Sequence, residues 1–155
     1  MRILEPEGPT ERARLDEAVL DTLCAAPLFA GMDRREVREV AGRFDEESFN
    51  AGHRITLEGM RGADFFIITS GIAEVSLDRR WVATLRAGDF FGELGVLGNG
   101  LRFATVSAET PLRCLVLPNH GLEELILHHP TLSRNLLREV VARLQDLATK
   151  RPHRA

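Results

Sequence analysis

The chain has 155 residues, of which 44% are hydrophobic and 28% are charged. This composition is ordinary for a globular protein, and the length fits one domain with a single core. The net charge of −3 gives no electrostatic basis for binding nucleic acid or an anionic membrane surface.

No segment of the sequence predicts insertion into a membrane or export. Uncharged apolar runs such as Phe65–Ile68 are far too short to cross a bilayer. The first residues, Met1–Pro6, lack the apolar core of a signal peptide. We therefore predict a cytoplasmic protein in which Cys24 and Cys114 remain buried thiols rather than forming a disulfide.

Helical patterns occupy the first part of the chain. Residues 1–9, rich in proline and glycine, predict a flexible lead-in, and Thr10 is the expected N-cap of a first helix that ends before Pro27. The apolar face of that helix is formed by Leu15, Val19, Leu20 and Leu23. An apolar elbow, Leu28–Met32, follows, and Asp33 is expected to cap a second helix.

From Phe44 onward the apolar period shortens, and turn residues recur at close intervals. The predicted strands are Phe44–Phe49, His53–Leu57, Asp64–Thr69, Ile72–Leu77, Trp81–Leu85, Ala104–Glu109 and Arg113–Pro118. Strands this short and this regularly interrupted favour a small antiparallel barrel or jelly roll. We assign Trp81 and the apolar strand residues to its core.

Helical patterns return after the last strand. A short amphipathic segment around Leu122 is closed by His128–Pro130, and a longer helix is predicted over Thr131–Thr149. Its apolar stripe is wider than one contact face requires, so we expect one edge to pack on the barrel. The other edge is expected to meet a second copy of the helix in a homodimer, or an effector protein. Residues 150–155 predict a disordered tail, which leaves 10–149 as the domain.

The segment from Gly88 to Val106 carries the candidate binding groups. Glu93 follows a glycine, a Gly-Asn-Gly loop comes next, and Arg102 opens a strand-like run. Glycines let backbone N–H groups approach a ligand closely. A planar guanidinium matches two phosphate oxygens, and a carboxylate accepts from a sugar hydroxyl. Taken alone, such a loop is a weak signal for a ligand site.

This segment resembles the phosphate-binding cassette of cyclic-nucleotide-binding domains. The resemblance rests on Phe91-Gly92-Glu93-Leu94, on Arg102-Phe103-Ala104-Thr105-Val106 and on the step from Glu93 to Arg102. It extends over roughly Leu28 to Leu147 and implies an α+β fold, an antiparallel β-roll with helices at the N- and C-terminal ends. It also implies that Arg102 and backbone amides hold a cyclic phosphate while Glu93 takes the ribose. The amides belong to Gly92, Leu94, Gly95 and Phe103.

The function implied by the resemblance is that of a non-enzymatic receptor for cAMP, with cGMP left open. Ligand capture would move the C-terminal helix over the base, where Leu147 offers an apolar lid. Regulators that share this sensor carry a further DNA-binding domain, and this sequence shows no pattern for one. We therefore expect a stand-alone sensor that does not bind nucleic acid.

Phe103 is the departure from the family pattern, in which a small residue follows the arginine. Its ring is expected either to pack in the barrel core or to enter the pocket and alter or fill it. If the pocket is lost, the same fold would serve as a protein–protein interaction or dimerisation module, which is the alternative function.

An enzyme is a more distant interpretation. A cupin-type metalloenzyme would need clustered histidines, whereas His128 and His129 are adjacent, which points their side chains apart, and His53 stands alone in the barrel region. The sequence contains no nucleophile elbow, P-loop or zinc-protease motif. We therefore predict neither a metal site nor catalytic residues.

Overall fold

A computed structural model describes residues 15–118 and 121–149, which form helices at both ends of a two-sheet barrel. The helices are α1 (Glu17–Ala25), α2 (Arg34–Ala41), α3 (Glu93–Leu97), α4 (Gly121–His128) and α5 (Pro130–Thr149), with a 3-10 turn at Pro27–Phe29. The strands are β1 (Asp45–Phe49), β2 (Arg54–Thr56), β3 (Phe65–Ser70), β4 (Ala73–Leu77), β5 (Arg80–Leu85), β6 (Phe90–Phe91), β7 (Thr105–Ala108) and β8 (Leu112–Leu117).

The strands form two antiparallel four-stranded sheets. The first has the order β1-β8-β3-β6 and the second the order β2-β7-β4-β5. Neighbours such as β3 and β8 are distant in sequence, as in a jelly roll. The predicted α+β fold, an antiparallel β-roll with helices at its ends, is confirmed.

Strand β3 of the first sheet is buried on both of its faces over most of its length. Phe65 and Ile67 on β3 pack with α1, α2, α4 and α5, whereas Phe66 and Ile68 face the second sheet. Successive strand residues point to opposite faces, so a strand covered on both sides reads as a continuous apolar run. The helices thereby rest on a sheet whose other face closes the barrel.

The C-terminal helix is fixed at its start and leaves an apolar stripe outside. Pro130 is its first residue, where a missing N–H costs nothing. The buried side chain of Asn135 donates to the carbonyls of Leu28 and Ala30, at 2.9 and 2.8 Å, and so ties α5 to the 3-10 turn. The exposed apolar residues of α5 are Leu137, Val141 and Leu144.

Several details differ from the sequence predictions. The first described helix begins at Glu17, and its N-cap is Asp16, whose carboxylate accepts from Val19 N–H at 2.8 Å. Thr10, the lead-in over 1–9 and the tail over 150–155 lie outside the described residues. Strand β6 and helix α3 were not predicted, because they are two and five residues long and carry no periodic signal.

The assignment of Trp81 to the core was wrong. Its residue surface is 59% exposed, although it belongs to β5 and is followed by the apolar residues Val82 and Ala83. The register slips between Val75 and Ser76 of the paired strand, and Trp81 lies at the bulge. A bulge re-aims side chains, which period-two reasoning does not anticipate.

None of the helices in the described part of the chain has the length and apolar character needed to span a membrane.

Candidate functional site

A cavity of about 550 Å³ lies against the second sheet and is bordered by the segment from β6 to β7 and by α5. Its apolar lining from the sheet includes Val75, Leu77, Ala83, Leu85 and Val106. All six residues proposed from the sequence line this one cavity: Gly92, Glu93, Leu94, Gly95, Arg102 and Phe103. The structure therefore brings the predicted set together.

Gly92 makes the turn that carries the chain from β6 into α3. Phe91 pairs with Phe66 of β3, and the next residue has a φ of 92°, in the left-handed region that glycine adopts without strain. A Cβ on Gly92 would lie 2.5 Å from the carbonyl oxygen of Asp64, so no side chain fits there. This tight turn places Glu93 at the start of α3 with only 3% of its surface exposed.

Arg102 is a buried cation held by backbone carbonyls. Its residue surface is 8% exposed, and its Nη1 donates to the carbonyls of Asp64 and Gly92, at 2.9 and 3.3 Å. Burial lowers the pKa of the guanidinium, while the charges of Asp64 and Glu93 act in the opposite direction. Over residues 15–118 and 121–149 no carboxylate forms an ion pair with it. A buried charge without a counterion favours an anion in the adjoining cavity.

Gly62 makes room for this arginine and was missed as a site residue by sequence reasoning. A Cβ at this position would lie 2.1 Å from Nε of Arg102. The backbone of the same loop pairs with the arginine's neighbours, since Gly62 N–H donates to Gly100 and Arg102 N–H donates to Met60. The sequence marks Gly62 only as a turn residue, because its contact is made by a distant part of the chain.

The carboxylate of Glu93 has a direct partner on the C-terminal helix. Nη1 of Arg143 donates to Oε1 of Glu93 at 3.0 Å, and Nη2 of Arg143 donates to the carbonyl of Phe90. The same guanidinium lies 4.1 Å from the centroid of the Phe90 ring. Burial raises the pKa of Glu93, and the charge of Arg143 and hydrogen bonds to the carboxylate offset part of that rise.

Arg143 is the second site residue that the sequence analysis missed. It lies on α5, far along the chain from the cassette, next to the apolar stripe that was attributed to packing and dimerisation. Its spacing from Val140 and Leu147, three residues after one and four before the other, puts it on the helix face that meets the barrel. The sequence did carry a signal for this residue, because an arginine at that spacing places a charge on the helix face that meets the barrel.

One face of α5 borders the cavity. The four residues that contribute to it are Glu139, Arg143, Asp146 and Leu147. Their spacing of four, three and one residues follows the helical period, so they share one side of the helix. Leu147, the expected lid residue, is therefore positioned at the cavity.

Phe103 lines the cavity without filling it. Its residue surface is 46% exposed, which excludes the interpretation that the ring packs in the barrel core. Phe103 therefore has the second orientation expected from the sequence, in which it borders the pocket, and the cavity remains open beside this residue.

Within the described ranges, no group of three or more His, Cys, Asp or Glu side chains is placed to hold a metal ion. Cys24 and Cys114 are free thiols, and burial raises the pKa of Cys114 to about 12.

The sequence and the fold match known proteins. The sequence model of the family described as "Cyclic nucleotide-binding domain" matches residues 46–129, more than half of the chain. The chain therefore belongs to the cyclic nucleotide-binding domain family. The matched residues include the whole segment from β6 to β7 that borders the cavity.

Two relatives illustrate the similarity in sequence. The cGMP-dependent protein kinase egl-4 of Caenorhabditis briggsae is 30% identical over 115 residues, which cover 70% of this chain and 15% of the relative. A cAMP-dependent protein kinase regulatory subunit of Mycosarcoma maydis is 33% identical over 110 residues, which cover 68% of this chain and 20% of the relative. The chain thus spans a fifth or less of the length of these two proteins.

Solved structures show the same similarity in three dimensions. The cAMP-bound structure of PfPKA-R superimposes with a TM-score of 0.74 at 32% identity, over 84% of this chain and 45% of that one. The catabolite activator protein of Thermus thermophilus superimposes with a TM-score of 0.73 at 26% identity, over 81% of this chain and 61% of that one.

Proposed function

We propose that this chain is a non-enzymatic receptor for a cyclic purine nucleotide, with cAMP as the favoured ligand. The observation that carries the proposal is Arg102, a buried cation without a carboxylate partner among the described residues, beside an open cavity of about 550 Å³. A cyclic phosphate would supply the missing negative charge. The cAMP bound in the similar PfPKA-R structure supports this choice of ligand.

The remaining groups of the cavity suit the rest of such a ligand. Glu93 carries the acceptor oxygens that a ribose hydroxyl needs, and its position is fixed by Arg143. Gly92, Leu94 and Gly95 border the same space and offer backbone N–H groups where no bulky side chain intervenes at the glycines. The sheet provides an apolar wall for a base.

We infer that ligand capture acts on the C-terminal helix. Arg143 connects α5 directly to Glu93, the residue proposed to bind the ribose, and Leu147 borders the same cavity. A ligand that changes the hydrogen bonds of Glu93 therefore changes the interaction that holds α5. Such a ligand shifts the population between two positions of the helix to the extent that it prefers one of them.

We also infer that a second copy of the chain covers the exposed stripe of α5. Leu137, Val141 and Leu144 follow one another at steps of four and three residues, the spacing of a coiled-coil seam. A β-branched residue alternates there with leucine, the combination that favours two parallel helices. The α5 helix of a second copy has the same exposed stripe, so a homodimer buries both stripes against each other. An effector protein is the alternative occupant.

Stand-alone action and a cytoplasmic location remain predictions.

Isothermal titration calorimetry with cAMP and cGMP tests the receptor proposal on the wild type and on the Arg102→Gln variant. Removing one partner of a buried charge pair costs on the order of 2–5 kcal/mol, so we expect roughly 30-fold weaker binding or more. Arg113→Gln, a change at an exposed arginine on β8, is the matched control and is expected to bind as the wild type does. Absence of binding to the wild type, or equal binding by the Arg102 variant, would contradict the proposal.

A further inference from the structure

A buried threonine lies at an irregular point between strands β2 and β7, beside the cavity. Thr56 is 4% exposed and belongs to the cavity lining. The pairing of the two strands advances by two residues on β2 but by one on β7, so that Arg54 lies opposite Ser107 and Thr56 lies opposite Val106. An extra residue of this kind interrupts the ladder of backbone hydrogen bonds and leaves backbone groups to be satisfied in another way.

The side chain of Thr56 satisfies two backbone groups of the opposite segment. Its hydroxyl donates to the carbonyl of Ala104 at 3.0 Å and accepts from the N–H of Val106 at 3.1 Å. A hydroxyl can do both because it is a donor and an acceptor at once, whereas a valine of the same shape can do neither. The peptide is planar, so the bond to the carbonyl fixes the orientation of the backbone that follows Ala104.

Further hydrogen bonds hold the chain on both sides of Phe103 and Ala104. The N–H and the carbonyl of Arg102 both bond to the loop that follows β2, at 2.7 and 2.9 Å. On the other side, the hydroxyl of Thr105 accepts from the backbone N–H of Glu58 at 3.0 Å. The two residues between these points are therefore fixed at each end, with the hydroxyl of Thr56 at the centre.

Phe103 and Ala104 line the cavity with backbone amides that bond to no part of the described protein. Over residues 15–118 and 121–149 neither N–H donates to a protein acceptor. Both amides follow directly after Arg102, whose buried guanidinium lacks a carboxylate partner in those same ranges. Successive unpaired N–H groups form a concavity that binds anions. Two kinds of donor, amide and guanidinium, are thus available to one anion.

We propose that Thr56 is a positioning residue for the phosphate of the ligand. Its hydroxyl holds the backbone of Ala104 so that the amides of Phe103 and Ala104 meet one exocyclic oxygen of a cyclic phosphate, while Arg102 meets the other. This rests on the proposed function, because it assigns what orients the phosphate end of the same cavity. Without the hydroxyl the amides are no longer held in place, and the contact with the first oxygen is lost.

Calorimetric titration of cAMP into the wild type, Thr56→Val and Thr56→Ser tests the proposal. A hydrogen bond to a charged group is worth roughly 10- to 150-fold in affinity, so Thr56→Val is expected to bind that much more weakly. Thr56→Ser keeps the hydroxyl and is expected to bind as the wild type does. Thermal unfolding confirms that each variant is folded at the titration temperature. Wild-type affinity in Thr56→Val would overturn the proposal.

Thr69→Val is the matched control. The hydroxyl of Thr69 on β3 also donates to a backbone carbonyl, that of Arg113, at 3.2 Å. It lies at the register shift between β3 and β8, outside the cavity lining. The same substitution at the same kind of contact is expected to leave cAMP binding unchanged. An equal loss of affinity in both valine variants would mean that Thr56 supports the barrel alone, and would overturn the positioning role.

The two phosphorothioate diastereomers of cAMP separate positioning from a general weakening of the site. Each carries sulfur, a weak hydrogen-bond acceptor, in place of a different exocyclic oxygen. In Thr56→Val we expect one diastereomer to lose less affinity relative to cAMP than it does in the wild type, and the other to lose as much as before. Arg102→Gln is expected to relieve the other diastereomer instead. A purely structural role for Thr56 would leave both relative losses unchanged, and relief of the same diastereomer by both variants would contradict the assignment of two oxygens.

The amide proton resonances of the wild type test the contact without any variant. An N–H that gains an anionic acceptor shifts downfield, so we expect the amide protons of Phe103 and Ala104 to shift with cAMP. Adenosine, which has the base and the ribose but no phosphate, is expected to leave them in place. If cAMP binds and neither amide shifts, the Thr56 proposal is wrong and the receptor proposal stands. If the wild type binds no cyclic nucleotide, both are wrong.

Discussion

The guanidinium of Arg143 donates a hydrogen bond to the carboxylate of Glu93 over 3.0 Å and so connects the C-terminal helix to the start of α3. Glu93 is almost fully buried, whereas Arg143 is partly exposed. The carboxylate therefore depends on this partner more than the arginine does.

The first prediction concerns the stability of this pair. Arg143→Gln leaves a buried carboxylate without its ion pair, and we expect a loss of about 2 kcal/mol in the free energy of unfolding, between the values for exposed and fully buried pairs. Chemical denaturation of both single variants and of the double variant with Glu93→Gln measures the coupling. The double variant is expected to recover part of the loss. Arg138→Gln, on the exposed side of α5, should change little. Strict additivity would show that the pair contributes nothing.

The second prediction concerns pH. Burial raises the pKa of Glu93, so the folded chain holds this proton more tightly than the unfolded chain does. Its contribution to stability is then fully present below the ordinary pKa of glutamic acid and decreases as the pH rises through the raised pKa. Urea unfolding of the wild type and of Glu93→Gln across the acidic and neutral range is the measurement. Relative to the variant, the wild type should lose stability as the pH rises, by at most about 1.4 kcal/mol per pH unit. The opposite slope would show that Arg143 outweighs the cost of burial.

The third prediction concerns Gly62. A methyl group at this position collides with Arg102, so Gly62→Ala is expected to displace the guanidinium and weaken cyclic nucleotide binding at least tenfold, about 1.4 kcal/mol. The fold should survive, because the collision is with a side chain that borders the cavity. Calorimetry together with thermal unfolding separates the two effects. Gly42→Ala, at the end of α2 and away from the cavity, is the control. Wild-type affinity in Gly62→Ala would show that the arginine does not need its present position.

The fourth prediction concerns the exposed stripe of α5. Replacing Leu137 and Leu144 together by glutamate puts like charges into the seam proposed between two copies, so a dimer should dissociate into monomers. Light scattering coupled to size-exclusion chromatography measures the mass of both proteins. Leu127→Glu, an equally drastic change at an exposed leucine on α4, is expected to leave the dimer intact. A monomeric wild type would exclude the homodimer and leave the stripe to an effector.

The predicted helix and strand pattern anticipated the fold well where elements are long or repeat their apolar period. Strands such as β3 and β8 carried recognisable apolar runs, and α5 was placed to within one residue of its start. The pattern failed at β6 and α3, which are too short to have a period, and at Trp81, where a bulge redirects the strand. In those places long-range packing, rather than local preference, decides the conformation.

The sequence by itself predicted that Glu93 and Arg102 belong to one candidate site, because the residue types of the cassette and the nine-residue step between the two resemble those of cyclic-nucleotide-binding domains. Only the tertiary structure decided what surrounds them. Gly62 and Arg143 approach from a loop and a helix far away in sequence, and Trp81 reaches the cavity through an irregular hairpin. Local sequence encodes the period of an element, whereas the partner of a buried charge is set by which distant surfaces the folded core brings into contact.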